Sequence, residues 1–346
     1  MRKLIILITL LLFITIPVSA LEFTAPEVPE MGEDRMPPSC DSFIEGLWYV
    51  LRSGLAALQP GFRDACSICL SIVATLLLGS LVRNISQSQE GTVRLIETLM
   101  TAILFLKSSE TFMQLSRDVI YELSSYGKLL LPVMASALAA QGGVTAAAGI
   151  YGGTLLFDNV LTAAVTDLLI PMVYVYIALS VAGSAFDSEA LKEGKGFVKW
   201  LMTWILKILL YVFTGYISIT GIVSGSADAA AVKAAKIAIS GFVPVVGNII
   251  SDASESILIS AGLMKNTVGI YGFLAVTAVW IGPFLQISTQ YILLKLTAAV
   301  SGVIAGKNGS ALLRDLSGAM GFLLAMTGAV CLMLLISIVC FMKGVG

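Results

Sequence analysis

The chain has no histidine. That absence removes HExxH metalloprotease sites, serine–histidine hydrolase pairs and histidine proton relays together. Charge is scarce as well. Only 12% of the 346 residues are Asp, Glu, Lys or Arg, where soluble domains carry about a quarter. There is no basic run of any length, which excludes a nucleic-acid surface. There is no GxxxxGK[ST] stretch, so a nucleotide motor would have to be another protein. An aspartyl intramembrane protease needs two facing carboxylates at membrane depth. Asp158 and Asp167 are the candidates, but they share one helix and lack a glycine-flanked aspartate motif. The residue inventory argues against an enzyme and calls for no cofactor or metal.

Cysteine is sparse, five residues in all. Cys66 and Cys69 form a CxxC, yet it lies inside the apolar run CSICLSIVATLLLGSLV with no second cluster to complete a metal or redox site. Cys331 and Cys340 sit in another apolar run. All four read as ordinary lipid- or helix-facing residues. Cys40 alone falls on the oxidising side, without an evident mate.

What the chain has in quantity is apolar surface. Hydrophobic residues make up 57% and the mean hydropathy is +0.93, which puts it in the integral-membrane class and makes the lipid bilayer its solvent. Residues 1–20 read as a signal peptide: Arg2 and Lys3, an apolar run from Leu4 to Ile16, then Val18-Ser19-Ala20. Residues 21–64 are acidic and hold Pro26, Pro29, Pro37 and Pro38, which predicts an extracytoplasmic spacer whose first part is extended. Residues 65–346 form a Gly/Ala-rich multi-span domain.

A membrane helix needs about 20 apolar residues. The spans predicted on that basis are Ala65–Val82, Thr92–Phe112, Val160–Gly183, Phe197–Val223, Val268–Leu294 and Ala319–Met342, with Thr92–Phe112 weakened by Glu97 and Lys107. Leu129–Phe157 is different. Pro132, Gln141-Gly142-Gly143 and Gly149, Gly152 and Gly153 interrupt it, which predicts two short half-helices in a re-entrant or tight hairpin. With that hairpin returning to its own side, Arg83, Arg94, Lys192, Lys195, Lys199, Lys295, Lys307 and Arg314 all fall inside, as the positive-inside rule requires. The expected fold is an all-α polytopic membrane protein of about six spans plus the re-entrant segment.

Two features carry functional expectations. Asp167, one turn before Pro171, and Lys207 lie within apolar helices, where a charge costs at least about 2.5 kcal/mol unless paired or wetted. They either form an intramembrane polar pair, with Pro171 opening the helix backbone, or Lys207 snorkels while Asp167 sits near the headgroups. The second feature is an amphipathic helical hairpin over residues 225–266. Its first arm sets Asp228, Lys233, Lys236 and Ser240 on one face. Gly241 and Pro244 break it, and a second arm alternates Ile249, Ile250, Ala253 and Ile257 with Asp252 and Glu255. A hairpin of this kind in a membrane protein serves a partner, a lipid interface or a pore. Lys236, Phe242, Pro244, Gly247, Asp252 and Glu255 are the expected docking or gate residues.

The same segment carries a family resemblance. Lys236, the FVPVVG run from Phe242 to Gly247, the SDASES run from Ser251 to Ser256 and LMKNTVG from Leu263 to Gly269 resemble the core of the stage III sporulation protein AE family of endospore-forming bacteria. The order of signal-like N-terminus, spacer and multi-span body is similar too. The resemblance implies a multi-pass subunit in the mother-cell membrane that surrounds the forespore, within a secretion-like channel complex that supports late forespore gene expression. Its implied partners are membrane and ring-forming proteins of the same sporulation operon, including an ATPase, and a forespore-membrane protein. No catalytic residues come with it. The alternative reading is a self-contained permease for a small solute, with a midplane site at Asp167, Lys207 and the Leu129–Phe157 hairpin.

Overall fold

The computed structural model of the protein describes residues 25–38, 42–85, 90–140, 144–219, 267–304 and 306–343. Nearly all of these residues are in helices, with no strand among them. In chain order the helices are α1 (Glu30–Glu33), α2 (Phe43–Ala56), α3 (Gln59–Ile85), α4 (Glu90–Ala140), α5 (Val144–Ala163), a π-helical segment (Ala164–Leu169), α6 (Ile170–Phe186), α7 (Glu189–Ile219), α8 (Thr267–Ile304) and α9 (Gly306–Lys343). Among the described residues, five stretches are long and apolar enough to cross a membrane: Gly61–Arg83, Ala147–Phe186, Glu189–Ile217, Val268–Val303 and Gly309–Met342. The first half of α4, expected as a sixth, is not one of them; Lys107 and Glu110 lower its hydropathy.

Two long helical hairpins organise the bundle. The α8–α9 pair packs antiparallel: a Cβ at Gly302 would stand 3.6 Å from Ser310 at one end, Gly321 faces the Tyr291 ring midway, and Gly269 lies against Met342 at the other end. α9 is the central element, with every residue from Ala319 to Met342 buried. An apolar helix enclosed on all sides is what a sequence hydrophobic all round requires.

The second hairpin is formed by α4 with α5–α6. Ser124 meets Asp158 and Arg94 meets Asp187, which sets an antiparallel register about residues 141–143, outside the described residues. The break expected within Leu129–Phe157 therefore falls between two helices. Its flanks, however, are the ends of long helices rather than separate half-helices. α4 alone has 51 residues, and the other arm runs without interruption from Val144 to Phe186. The π segment has a local cause. Pro171 has no N–H to offer the Asp167 carbonyl four residues back, and its ring crowds that carbonyl, so the preceding turn widens.

The N-terminal region departs from the extended spacer expected of its composition. Gly32 is buried, and a Cβ there would stand 2.9 Å from the Val279 backbone nitrogen. Val28, Met31 and Met36 pack on the main core. α2 lays Val50 and Gly54 against α8, and Phe43 meets Phe273 edge-on at 5.3 Å. The prolines set the chain direction without keeping it off the bundle.

Outer helices leave large apolar side chains exposed, including Leu70 and Leu78 on α3, Ile96 and Ile103 on α4, Trp200 and Trp204 on α7 and Val303 on α8. Water would penalise such a surface, whereas hydrocarbon solvates it.

Candidate functional site

Of the residues expected to act, Lys236, Phe242, Pro244, Gly247, Asp252 and Glu255 lie outside the described residues. The helices flanking that segment enter and leave it at one end of the bundle. Tyr216 near the end of α7 packs on Gly153 and donates to the Gly149 carbonyl at 2.6 Å, while Gly272 near the start of α8 faces Leu130 of α4. Both contacts lie toward the turn of the α4–α5 hairpin.

Asp167 is exposed on the π segment and accepts a hydrogen bond from Thr166 Oγ1 at 3.0 Å. Lys207 is half-buried on α7. Among the described residues the ion pairs are Arg83–Glu97, Arg94–Asp187, Lys192–Asp187 and Lys195–Asp315, so the two intramembrane charges are not joined to each other.

Those four pairs fasten the opposite end of the bundle. Arg83 at the end of α3 pairs with Glu97 of α4, which explains a carboxylate that the hydropathy of Thr92–Phe112 leaves unexplained. Asp187, in left-handed backbone at the α6–α7 corner (φ 49°), holds Lys192 at 2.7 Å and Arg94 at 3.6 Å. The Lys192 ammonium, by its hydrogen bond and then its charge, with Arg94 adding to it, keeps the Asp187 carboxyl below the usual carboxylate range. Lys195 binds Asp315 of α9 at 2.6 Å. Four of the eight cations that the positive-inside rule assigns to one side, Arg83, Arg94, Lys192 and Lys195, are thus gathered by their partners at one end.

Two polar features lie between these ends. Asp158, 1% exposed, accepts from Ser124 Oγ at 2.6 Å through Oδ2, and its Oδ1 has no hydrogen-bond partner. The larger feature is a groove of about 610 Å³ among α3, α4 and α8. Asp64 and Ser71 line its α3 wall, Lys107 and Thr111 its α4 wall, and Gln286 and Gln290 come from α8. Gln290 is 0% exposed, and neither its amide oxygen nor its nitrogen has a partner. Sequence reading missed this groove because its polar residues come from three separate helices, and Lys107, the one that lowers the hydropathy of its own helix, gives no sign of the glutamines it faces. The paired glutamines at 286 and 290, one helical turn apart within an apolar span, were the available signal. Among the described residues, no cluster of three or more Asp, Glu, Cys or His stands ready to hold a metal.

A chain whose described residues form a helical bundle without strands, with five apolar stretches of spanning length among them, a buried central helix and lipid-compatible outer faces, is a multi-pass membrane protein. The model of the stage III sporulation protein AE family matches residues 51–344, and the chain belongs to that family. It is similar to stage III sporulation protein AE of Bacillus subtilis (strain 168), with 23% identity over 240 residues, covering 69% of this chain and 60% of the relative. The match thus spans less than two thirds of the relative's length. No solved structure matches. Family membership ties the chain to sporulation.

Proposed function

We propose that this protein is a membrane subunit of a multiprotein channel, resembling a secretion apparatus, that joins the mother cell to the forespore during endospore formation. In this reading it sits in the mother-cell membrane surrounding the forespore, and supports late forespore gene expression without catalysing a reaction. It assembles with membrane and ring-forming proteins of the same operon, an ATPase among them, and meets a forespore-membrane protein across the gap.

The observation that carries the proposal, beside family membership, is the length of the α4 hairpin. Its 51-residue arm is about 76 Å long at about 1.5 Å per residue. A hydrocarbon core of about 30 Å needs only about 20 residues. We assign the first half of α4 as a sixth crossing, with Lys107 turned to the polar groove and Arg94 and Glu97 held in ion pairs at the cytoplasmic end, and place the hairpin turn outside the cytoplasm. The remainder of the hairpin then stands clear of the bilayer, where a partner in the facing membrane can reach it. The flanks of residues 225–266 lie at that same end, which suits the expected docking segment.

The test is affinity purification of the tagged protein from sporulating cells, with and without Pro244→Leu and Asp252→Lys. Partners that co-purify, and that are released by these changes while the spans stay inserted, support the channel-subunit assignment. A protein that comes out alone, with the variants leaving spores intact, would favour a self-contained permease.

A further inference from the structure

The geometry points to a binding site for a small zwitterion in the groove among α3, α4 and α8. A volume of about 610 Å³ falls within the range of about 300–1,000 Å³ typical of small-molecule sites. Three features of the lining define what fits it.

The first is Gln290. A buried amide with neither atom bonded is costly to keep, so its ligand should both donate and accept hydrogen bonds. The second is charge. Asp64 on one wall and Lys107 on the other are both exposed to the groove, and no ion pair joins them to each other or to another described residue. A neutral solute leaves both charges unanswered, and a simple anion or cation leaves one. A molecule with an ammonium beside an acid group answers both, the ammonium to Asp64 and the acid group to Lys107, and offers the amide a donor and an acceptor. The third is the hydroxyl lining. Ser71 donates to the Ser67 carbonyl at 2.9 Å, which leaves its oxygen lone pairs directed outward as acceptors for a bound ammonium or its water.

An ammonium beside an acid group has two sources at such a place. One is a free α-amino acid, whose acid is a carboxylate. The other is an ethanolamine phospholipid, whose acid is a phosphate. The site is independent of channel assembly and stands or falls separately from it.

The experiment uses the full chain purified in detergent and stripped of lipid. In the first arm, an equimolar mixture of radiolabelled α-amino acids is offered in equilibrium binding. The expected result is saturable binding that an excess of unlabelled mixture displaces and that equal concentrations of ethanolamine or acetate do not. In the second arm, lipid is extracted from protein purified without stripping, and ethanolamine phospholipid is counted per chain. Gln290→Leu and Lys107→Met should each lower binding at least tenfold in whichever arm is positive, while Lys107→Arg retains most of it. Gln290→Leu removes an unbonded amide from the interior, so it should fold at least as well as the parent, and its melting temperature checks that. Binding in the first arm identifies a free solute, and binding in the second alone identifies the lipid. Binding in neither, or binding that survives both loss variants, overturns the site.

Discussion

Ser124 of α4 donates its hydroxyl to the Asp158 carboxylate of α5, Oγ to Oδ2 at 2.6 Å, with both side chains buried. This bond fixes the register of the long hairpin at a depth where water is excluded. Asp158 Oδ1 has no partner, so the hydroxyl is the one hydrogen bond the carboxylate receives among the described residues. Removing it leaves a buried carboxylate bare on both oxygens. Ser124→Ala should therefore lower stability by about 1–3 kcal/mol. The double change Ser124→Ala/Asp158→Leu should recover most of that, because an apolar pair has nothing left to satisfy. Thermal unfolding of the purified protein, followed by tryptophan fluorescence, reads both. A double variant as unstable as the single one would contradict this role for the bond.

Gly153 lets the Tyr216 ring lie directly on α5, where its hydroxyl reaches the Gly149 carbonyl. Any side chain at 153 collides with the ring itself rather than with a flexible tip. Gly153→Ala should cost about 1–3 kcal/mol by overpacking. Tyr216→Phe, which loses only the hydrogen bond, should cost about 0.5–1.5 kcal/mol. Equal costs would mean that the close approach is unimportant.

The N-terminal segment is held by a backbone approach. A Cβ at Gly32 would stand 2.8 Å from Val279 Cγ2 and 2.9 Å from its backbone nitrogen, and the backbone cannot yield as a side chain does. Gly32→Ala should release residues 25–38 from α8 and expose them to protease while α3–α9 stay folded. Limited proteolysis with mass spectrometry reads the result. An unchanged digestion pattern would mean that this segment is held elsewhere.

The α6–α7 corner should respond to acid. Asp187 has its carboxyl held below the ordinary range by Lys192 and then Arg94, with Glu189 also beside Lys192. A depressed carboxylate stabilises the fold above its unfolded value, and that contribution disappears as pH falls through the lower folded value. Hydrogen-exchange protection at residues 184–192, corrected for the intrinsic pH dependence of amide exchange, should be constant near neutrality and fall below about pH 4. Asp187→Asn keeps a residue tolerant of left-handed backbone. It should remove the acid-dependent step and leave exchange at this corner faster at neutral pH. Persistence of the step in that variant would assign it to another group.

The break after α4 was legible because Gln141-Gly142-Gly143 interrupts an apolar run, though it was expected between two short half-helices, and part of the cationic end was legible because charge bias survives in sequence. The length of α4 was not. Hydropathy drops at Lys107, Glu110, Arg117 and Asp118, but helical hydrogen bonding continues through them, and α4 reaches Ala140. The docking of residues 25–38 was hidden because acidic and proline-rich composition says nothing about Gly32 meeting Val279. The Ser124–Asp158 bond and the Gln290 groove were hidden for a shared reason. Each joins residues on helices distant in sequence, and only the packed bundle brings them together.

The most direct test of a hairpin that crosses the bilayer and turns beyond it is single-cysteine labelling in a cysteine-free background. Gly91→Cys and Glu189→Cys mark one end of the hairpin and Ser136→Cys marks the other, all at exposed positions. A membrane-impermeant maleimide applied to intact protoplasts of non-sporulating cells that express the protein, where the extracytoplasmic face is open to the medium, should label position 136 at once, and positions 91 and 189 only after permeabilisation. Labelling of all three from the same side would contradict the crossing, and with it the placement of the hairpin turn in the gap between the two membranes.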